Sequence, residues 1–216
     1  MPDEARRVKV WDPFVRLSHW ILVVAFLFAY AIGDDLLTPH VWLGYLAGAV
    51  VVLRVFWGLV GSQHARLTDF VYPPRVVFGY LADLALFRAR RYLGHGPAGG
   101  AMALALWLFV SLSVASGIVA YAYRDLGPLA PYLGPGVVVD LAPIAPALAD
   151  GKDKMRASEK PRKNPIAKAW EEAHEIVSAI ALWLVVVHVV GVLWASLVHR
   201  ENLTRGMIDG RKRALE

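Results

Sequence analysis

Histidines set inside apolar sequence are the residues of this chain best placed to do chemistry. The stretch AWEEAHEIVSAIALWLVVVHVVGVLWASLVHR, residues 169–200, carries two of them, His174 and His188, 14 residues apart. At 100° per residue that spacing falls about 40° short of four turns, so both rings project from one helix face, about 21 Å apart along the axis. His19 opens another apolar run, and His40 opens a third that also holds Arg54, again 14 residues on. An imidazole in hydrocarbon is costly without a partner and is usually functional there. Its two chemical uses are metal ligation and proton transfer.

The elements that carry these residues read as membrane helices. The chain has 216 residues, 57% hydrophobic and only 19% charged, too little charge for an ordinary soluble domain. Leu17 to Gly33 is free of formal charge, and so are Ala98 to Tyr123 and the 23 residues from Ile176 to Val198. Each is long enough, with its flanks, to cross a hydrocarbon core of about 30 Å. These runs predict spans at about 15–33, 40–60, 98–123 and 172–198, in one domain covering residues 1–216. The expected fold is an all-α integral membrane four-helix bundle. Between the second and third spans, Pro73-Pro74 opens a segment in which Val76, Val77, Tyr80, Leu81, Leu84 and Phe87 recur at helical spacing ahead of Arg88, Arg90 and Arg91. That pattern predicts an additional amphipathic helix lying in the interface.

Charge and cysteine content remove other classes. There are no cysteines, which excludes disulfides, iron–sulfur clusters, thiolate zinc sites and C-x-x-C-H attachment. The net charge of +5 sits between apolar spans, so membrane topology accounts for it and nucleic acid is not an expected partner. Lys and Arg number fourteen in the arm, the 61–97 connection and the tail, against eight in the 124–168 loop. This places both termini on the cytoplasmic side and 124–168 outside. Its basic second half reads as a solvated linker or as a dock for an acidic partner.

With that topology the histidines fall into two layers. His19 and His188 lie near the cytoplasmic side, His40 and His174 near the outer side. Facing imidazoles from different helices, with no thiolate or nearby carboxylate, suit the two axial positions of a haem iron. Gly44, Gly48 and Gly191 lie near the ligand-bearing faces and would leave room for a porphyrin, or else are helix-contact glycines. Arg54 falls at the depth of His188. A buried cation there needs an anion, for which a haem propionate or a quinone oxygen would serve, unless it snorkels to the interface. His95, in YLGHGP, is a loop residue within range of a quinone or a propionate. His64 and His199 read as solvated helix-end residues.

The pieces VWDPFVRLSHW, HVWLGYLAGAVVVLRVFWGLVGS, RYLGHGPAGGAM, AHEIVSAIALWLVVVHVVGV and HRENLTRGMIDGRK resemble the bacterial cytochrome b561 family, in the broad group that includes the b-type cytochrome subunits of nickel–iron hydrogenases. The resemblance implies a four-helix membrane cytochrome with two non-covalent haem b groups. His19 and His188 would be the iron ligands of the inner haem, His40 and His174 those of the outer one. Gly96 departs from the Asn that the family often has after the loop histidine, and the basic insertion before the fourth span is atypical.

The function expected is electron relay between an outer-side redox partner, such as a hydrogenase or a c-type cytochrome, and the quinone pool. Any enzymatic activity would be quinone oxidoreduction, with Arg16, Arg54 or His95 supplying charge or protons. Lipid surrounds such a chain, and a homodimer is compatible with it. The alternatives are a histidine-based transporter or proton relay, and a haem-free structural anchor of a redox complex.

Overall fold

The computed structural model describes residues 7–133 and 165–214. Helix α1, Pro13–Ile32, is started by Asp12, whose side chain accepts a hydrogen bond from the Val15 N–H at 2.8 Å, with Pro13 in the first turn. This is the preferred chemistry of a helix start, since it satisfies a donor that has no intrahelical acceptor. The helix ends at Gly33, where φ is +49°, and one 3₁₀ turn over Gly33–Leu36 leads into α2, Leu37–Val60. The two helices pack against each other, and the His40 Nδ1 lies 3.0 Å from the Ala29 carbonyl oxygen across the bend. The acidic turn at Asp34 and Asp35 therefore closes a helical hairpin.

Three segments are long and apolar enough to cross a membrane: Pro13–Val60, which contains this hairpin, then α4, Pro97–Tyr123, and α6, Pro165–Val198. Many of their large apolar side chains are exposed, among them Phe28, Val52, Phe56, Trp183 and Leu193. A soluble protein rarely exposes apolar surface on this scale, whereas lipid solvates it. The chain is thus an all-α membrane protein. Helix α6 begins at Pro165, seven residues ahead of the expected 172. Proline is at home in a first helical turn, and a Lys168–Glu172 ion pair at 3.2 Å supports that solvated extension. The amphipathic segment forms α3, Pro74–Ala85, with Leu84 buried and its carbonyl accepting from the Trp194 indole at 3.2 Å.

The short elements at the two ends had no forecast in the sequence. Strand β1, Arg7–Lys9, pairs antiparallel with β2, Arg211–Arg213, in the register Arg7↔Arg213, Val8↔Lys212 and Lys9↔Arg211. Helix α7, Leu203–Asp209, is capped by Asn202 and precedes β2. Val10, Trp11, Val15 and Ala65 form a small core here, joined by Trp57, Leu93 and Met207. A short helix α5, Ala130–Leu133, follows α4; most of the 124–168 loop, including its basic half, lies outside the described residues. By contact density the chain divides into two compact units, Met1–Val114 with Val177–Glu216, and Ala115–Ile176.

Candidate functional site

In the first unit, His19 from α1, Arg54 from α2 and His188 from α6 converge: the His19 imidazole lies within electrostatic range of both the others. His19 sits two turns into α1, edge-on to Trp20 with ring centroids 5.1 Å apart, and its Nδ1 is buried without a hydrogen-bond partner. Arg54 is only 6% exposed. Its guanidinium carbon lies 5.1 Å from the centroid of the Trp107 ring on α4, and its Nη1 is buried and unpaired. The ring face attracts the cation but accepts none of its N–H groups in the plane where they donate best. An unpaired buried guanidinium N–H is expensive and marks a place where an anionic oxygen would be stabilised. Arg54 therefore points inward and does not snorkel.

His95 belongs to the same neighbourhood, within electrostatic range of Arg54 and His188. Its ring lies between Trp11 and Phe70, with centroids 4.6 Å and 4.5 Å away, and its Nδ1 too is buried and unpaired. Burial, with the cations Lys212 and Arg54 behind it, pushes this imidazole down to about 3, so it is neutral at physiological pH. Tyr72 donates to the His95 carbonyl at 2.9 Å and fixes the loop. Close backbone approach helps as well: a Cβ on Gly100 would fall 2.6 Å from the Phe70 carbonyl oxygen.

His40 and His174, the other two candidate ligands, are each held by a neighbouring helix. His40 is oriented through Nδ1 by the Ala29 carbonyl; a proton shared in that bond leaves the lone pair on Nε2. In the second unit the His174 Nδ1 lies 3.3 Å from the Ser116 hydroxyl. A Cβ on Gly117 would come within 2.9 Å of the His174 Cε1, so only glycine leaves that ring its position. Ser116 and Gly117 read in sequence as part of a small-residue cluster for helix packing. Their contact with a histidine 58 and 57 residues away has no sequence signal.

The glycines expected to make room divide into two kinds. Gly44 and Gly191 have nothing within 4 Å of where a Cβ would stand. Gly48 is different, since a Cβ there would sit 2.9 Å from a Val114 methyl, so it is a glycine of close helix contact. Of the remaining histidines, His64 lies 3.3 Å from Asp69 and His199 lies 3.0 Å from the Tyr80 hydroxyl. Both are engaged at the ends of the spans.

Among the described residues no group of three or more His, Cys, Asp or Glu side chains gathers to hold a metal ion. Two imidazoles suffice only where a macrocycle supplies the other ligands, as in haem. The profile of prokaryotic cytochrome b561 matches residues 10–210. The chain belongs to that family. As a prokaryotic cytochrome b561 it is an integral membrane b-type cytochrome, a haem-binding electron-transfer protein. No match is found among curated proteins or among solved structures. The residues present fit the group the family implies: imidazoles from separate helices for the iron, unpaired buried donors at Arg54, open space beside Gly44 and Gly191, and no cysteine for a covalent link.

Proposed function

We propose that this cytochrome b561 relays single electrons across a bacterial inner membrane, between a redox partner on the outer side and the quinone pool, by means of two haem b groups with bis-histidine ligation. When bound, haem b supplies a reversible one-electron iron couple. His19 and His188 are assigned to the inner group, His40 and His174 to the outer. With two imidazoles as its iron ligands, each haem would have no position left for oxygen or substrate, which would separate this cytochrome from an oxidase. The observation that carries the reading is the convergence of His19 and His188 from α1 and α6 beside a buried arginine with a free donor.

The surrounding residues have definable tasks. The Arg54 Nη1 stabilises an anionic oxygen, a propionate or a reduced quinone oxygen, in low dielectric, where such a bond counts for most. His95, neutral and with a free Nδ1, is suited to hydrogen-bond a quinone oxygen without adding a buried charge. Arg16, whose Nε is also buried and unpaired, adds a second cationic donor close to the start of α1.

Four crossings, by α1, α2, α4 and α6, with α3 in the interface, complete the topology. The pairing of β1 with β2 supports it by holding the two ends of the described chain together, as an even number of crossings requires.

Quinol reduction of two variants tests both the ligand pairing and the side of quinone exchange. His174→Ala should retain one haem b that a short-chain quinol reduces as fast as it reduces the wild type. His188→Ala should retain one haem b that the quinol reduces slowly or not at all. Equal rates in the two variants would remove the assignment of quinone to the inner side, and loss of both haems or neither would remove the pairing.

A further inference from the structure

The β1–β2 ribbon places like charges directly opposite one another. Arg7 faces Arg213 and Lys9 faces Arg211, while alternation sends Val8 and Lys212 to the other face, where Lys212 is buried and its Nζ donates to the Tyr92 carbonyl at 2.8 Å. Like charges in cross-strand pairs destabilise a sheet, and a two-stranded ribbon is marginal to begin with. Two carboxylates lie at the ribbon: Asp209, 3.1 Å from Arg7, is shared with Arg205 at 3.4 Å and accepts from the Arg211 N–H, while Glu201 accepts from the Arg213 N–H and is paired with Arg91 at 3.0 Å. Among the described residues the exposed side chains of Lys9, Arg211 and Arg213 have no carboxylate within ion-pair distance.

The position of the ribbon says what meets it. β1 ends four residues before the start of α1, so the strand lies within about 14 Å of the first turn of a span. Helix α7, which leads into β2, lies against that first part of α1, where the Arg16 guanidinium donates to the Ile208 carbonyl and the Trp20 indole to the Met207 carbonyl at 3.4 Å. Leu17, Trp20 and Ile208 are exposed next to it, at 63%, 38% and 60%. An apolar patch beside a cationic face, level with the end of a membrane helix, matches the boundary between acyl chains and headgroups.

We propose that the Arg7, Lys9, Arg211 and Arg213 face of the ribbon is a binding site for acidic phospholipid headgroups. Phosphodiester oxygens lying across the strands would neutralise the cross-strand repulsion. Bound lipid would thereby fasten the N-terminal and C-terminal ends of the chain together at the membrane surface, whatever flows through the haem sites.

The test uses the full-length haem-loaded protein in nanodiscs of phosphatidylcholine with phosphatidylglycerol, counting retained lipid by native mass spectrometry. The wild type should retain phosphatidylglycerol preferentially and lose that preference at about 1 M KCl, where charges are screened over a few ångströms. Lys9→Gln with Arg211→Gln should weaken the preference about thirtyfold, about fivefold for each cation. A matched loss of charge in Arg75→Gln with Arg90→Gln, interfacial cations outside the ribbon, should weaken it several-fold less than the ribbon pair does, and haem absorbance and melting temperature establish that both variants are folded. No preference in the wild type, a preference indifferent to salt, or an equal loss in the control pair would overturn the proposal. Capture of a polyglutamate peptide by the ribbon without phosphatidylglycerol retention would overturn it in favour of an acidic protein partner.

Discussion

At the scale of single residues, the chemistry depends on where two or three atoms sit around each imidazole. Gly117 makes this testable, because a methyl group there would stand 2.9 Å from the His174 ring. Gly117→Ala should displace the imidazole and lower occupancy of the outer haem while leaving the inner one in place, read as a fall from two haems towards one per chain. His95 gives a pH dependence. Burial holds its pKa at about 3, against 6.5 for an unburied imidazole, so the unfolded chain takes up a proton that the folded protein refuses. Stability from this residue is full above pH 6.5 and is lost progressively as the pH falls from 6.5 towards 3. Melting curves between about pH 7 and pH 5 should slope downward with acidity in the wild type and be flatter in His95→Asn. In the sequence His174 and His188 stand out by their 14-residue interval, and His19 and His40 because each opens an apolar run. Trp107 under Arg54, and Ser116 and Gly117 around His174, were not legible there, because nothing in sequence spacing says which face of another helix arrives at a given ring.

At the scale of elements, the histidine-bearing helices are set by contacts at their ends. Asp12 caps α1 through the Val15 N–H and also accepts from the Trp57 indole at 3.1 Å and the Ser62 hydroxyl at 2.5 Å, tying the start of α1 to the end of α2. Burial alone would raise this carboxyl, but the hydrogen bonds from Ser62, Val15 and Trp57, with Arg54 beyond them, hold it below the usual carboxylate range. Asp12→Ala should cost about 1 kcal/mol for the cap alone, and more with the two side-chain bonds, seen as a lower melting temperature at neutral pH. Because the pKa is depressed, that contribution is present at neutral pH and fades only as the pH falls below about 4, so wild type and variant should converge in acid. Helix existence and most helix ends were readable from hydropathy, but two starts were not. α2 begins at Leu37 and α6 at Pro165, each ahead of its expected start, because hydropathy marks where lipid begins and not where backbone hydrogen bonding does. The three-residue strands carried no periodicity to read, and they pair only because the two ends of the chain meet.

At the scale of the whole molecule, a membrane cytochrome of this kind replaces the buried core of a soluble protein with an apolar exterior, and few polar groups are buried among the described residues of its helices. Arg54, Ser18, Ser113, Ser116 and Ser178 are the polar residues buried within its long helices. Ser113 and Ser178 bond each other at 2.7 Å, whereas Arg54 keeps an unpaired donor. Family membership and membrane character were legible in composition and motif order. The small ordered cap built from β1, α7 and β2 was not, since its core joins residues near position 10 to residues near 207. The central claim is that the paired histidines hold two non-covalent b-type haems. A pyridine haemochrome assay on purified full-length protein, with a visible spectrum of the native state, tests it most directly. Two haem b per chain with low-spin bands is the predicted result; a colourless preparation from haem-replete cells, or a single haem per chain, would contradict it.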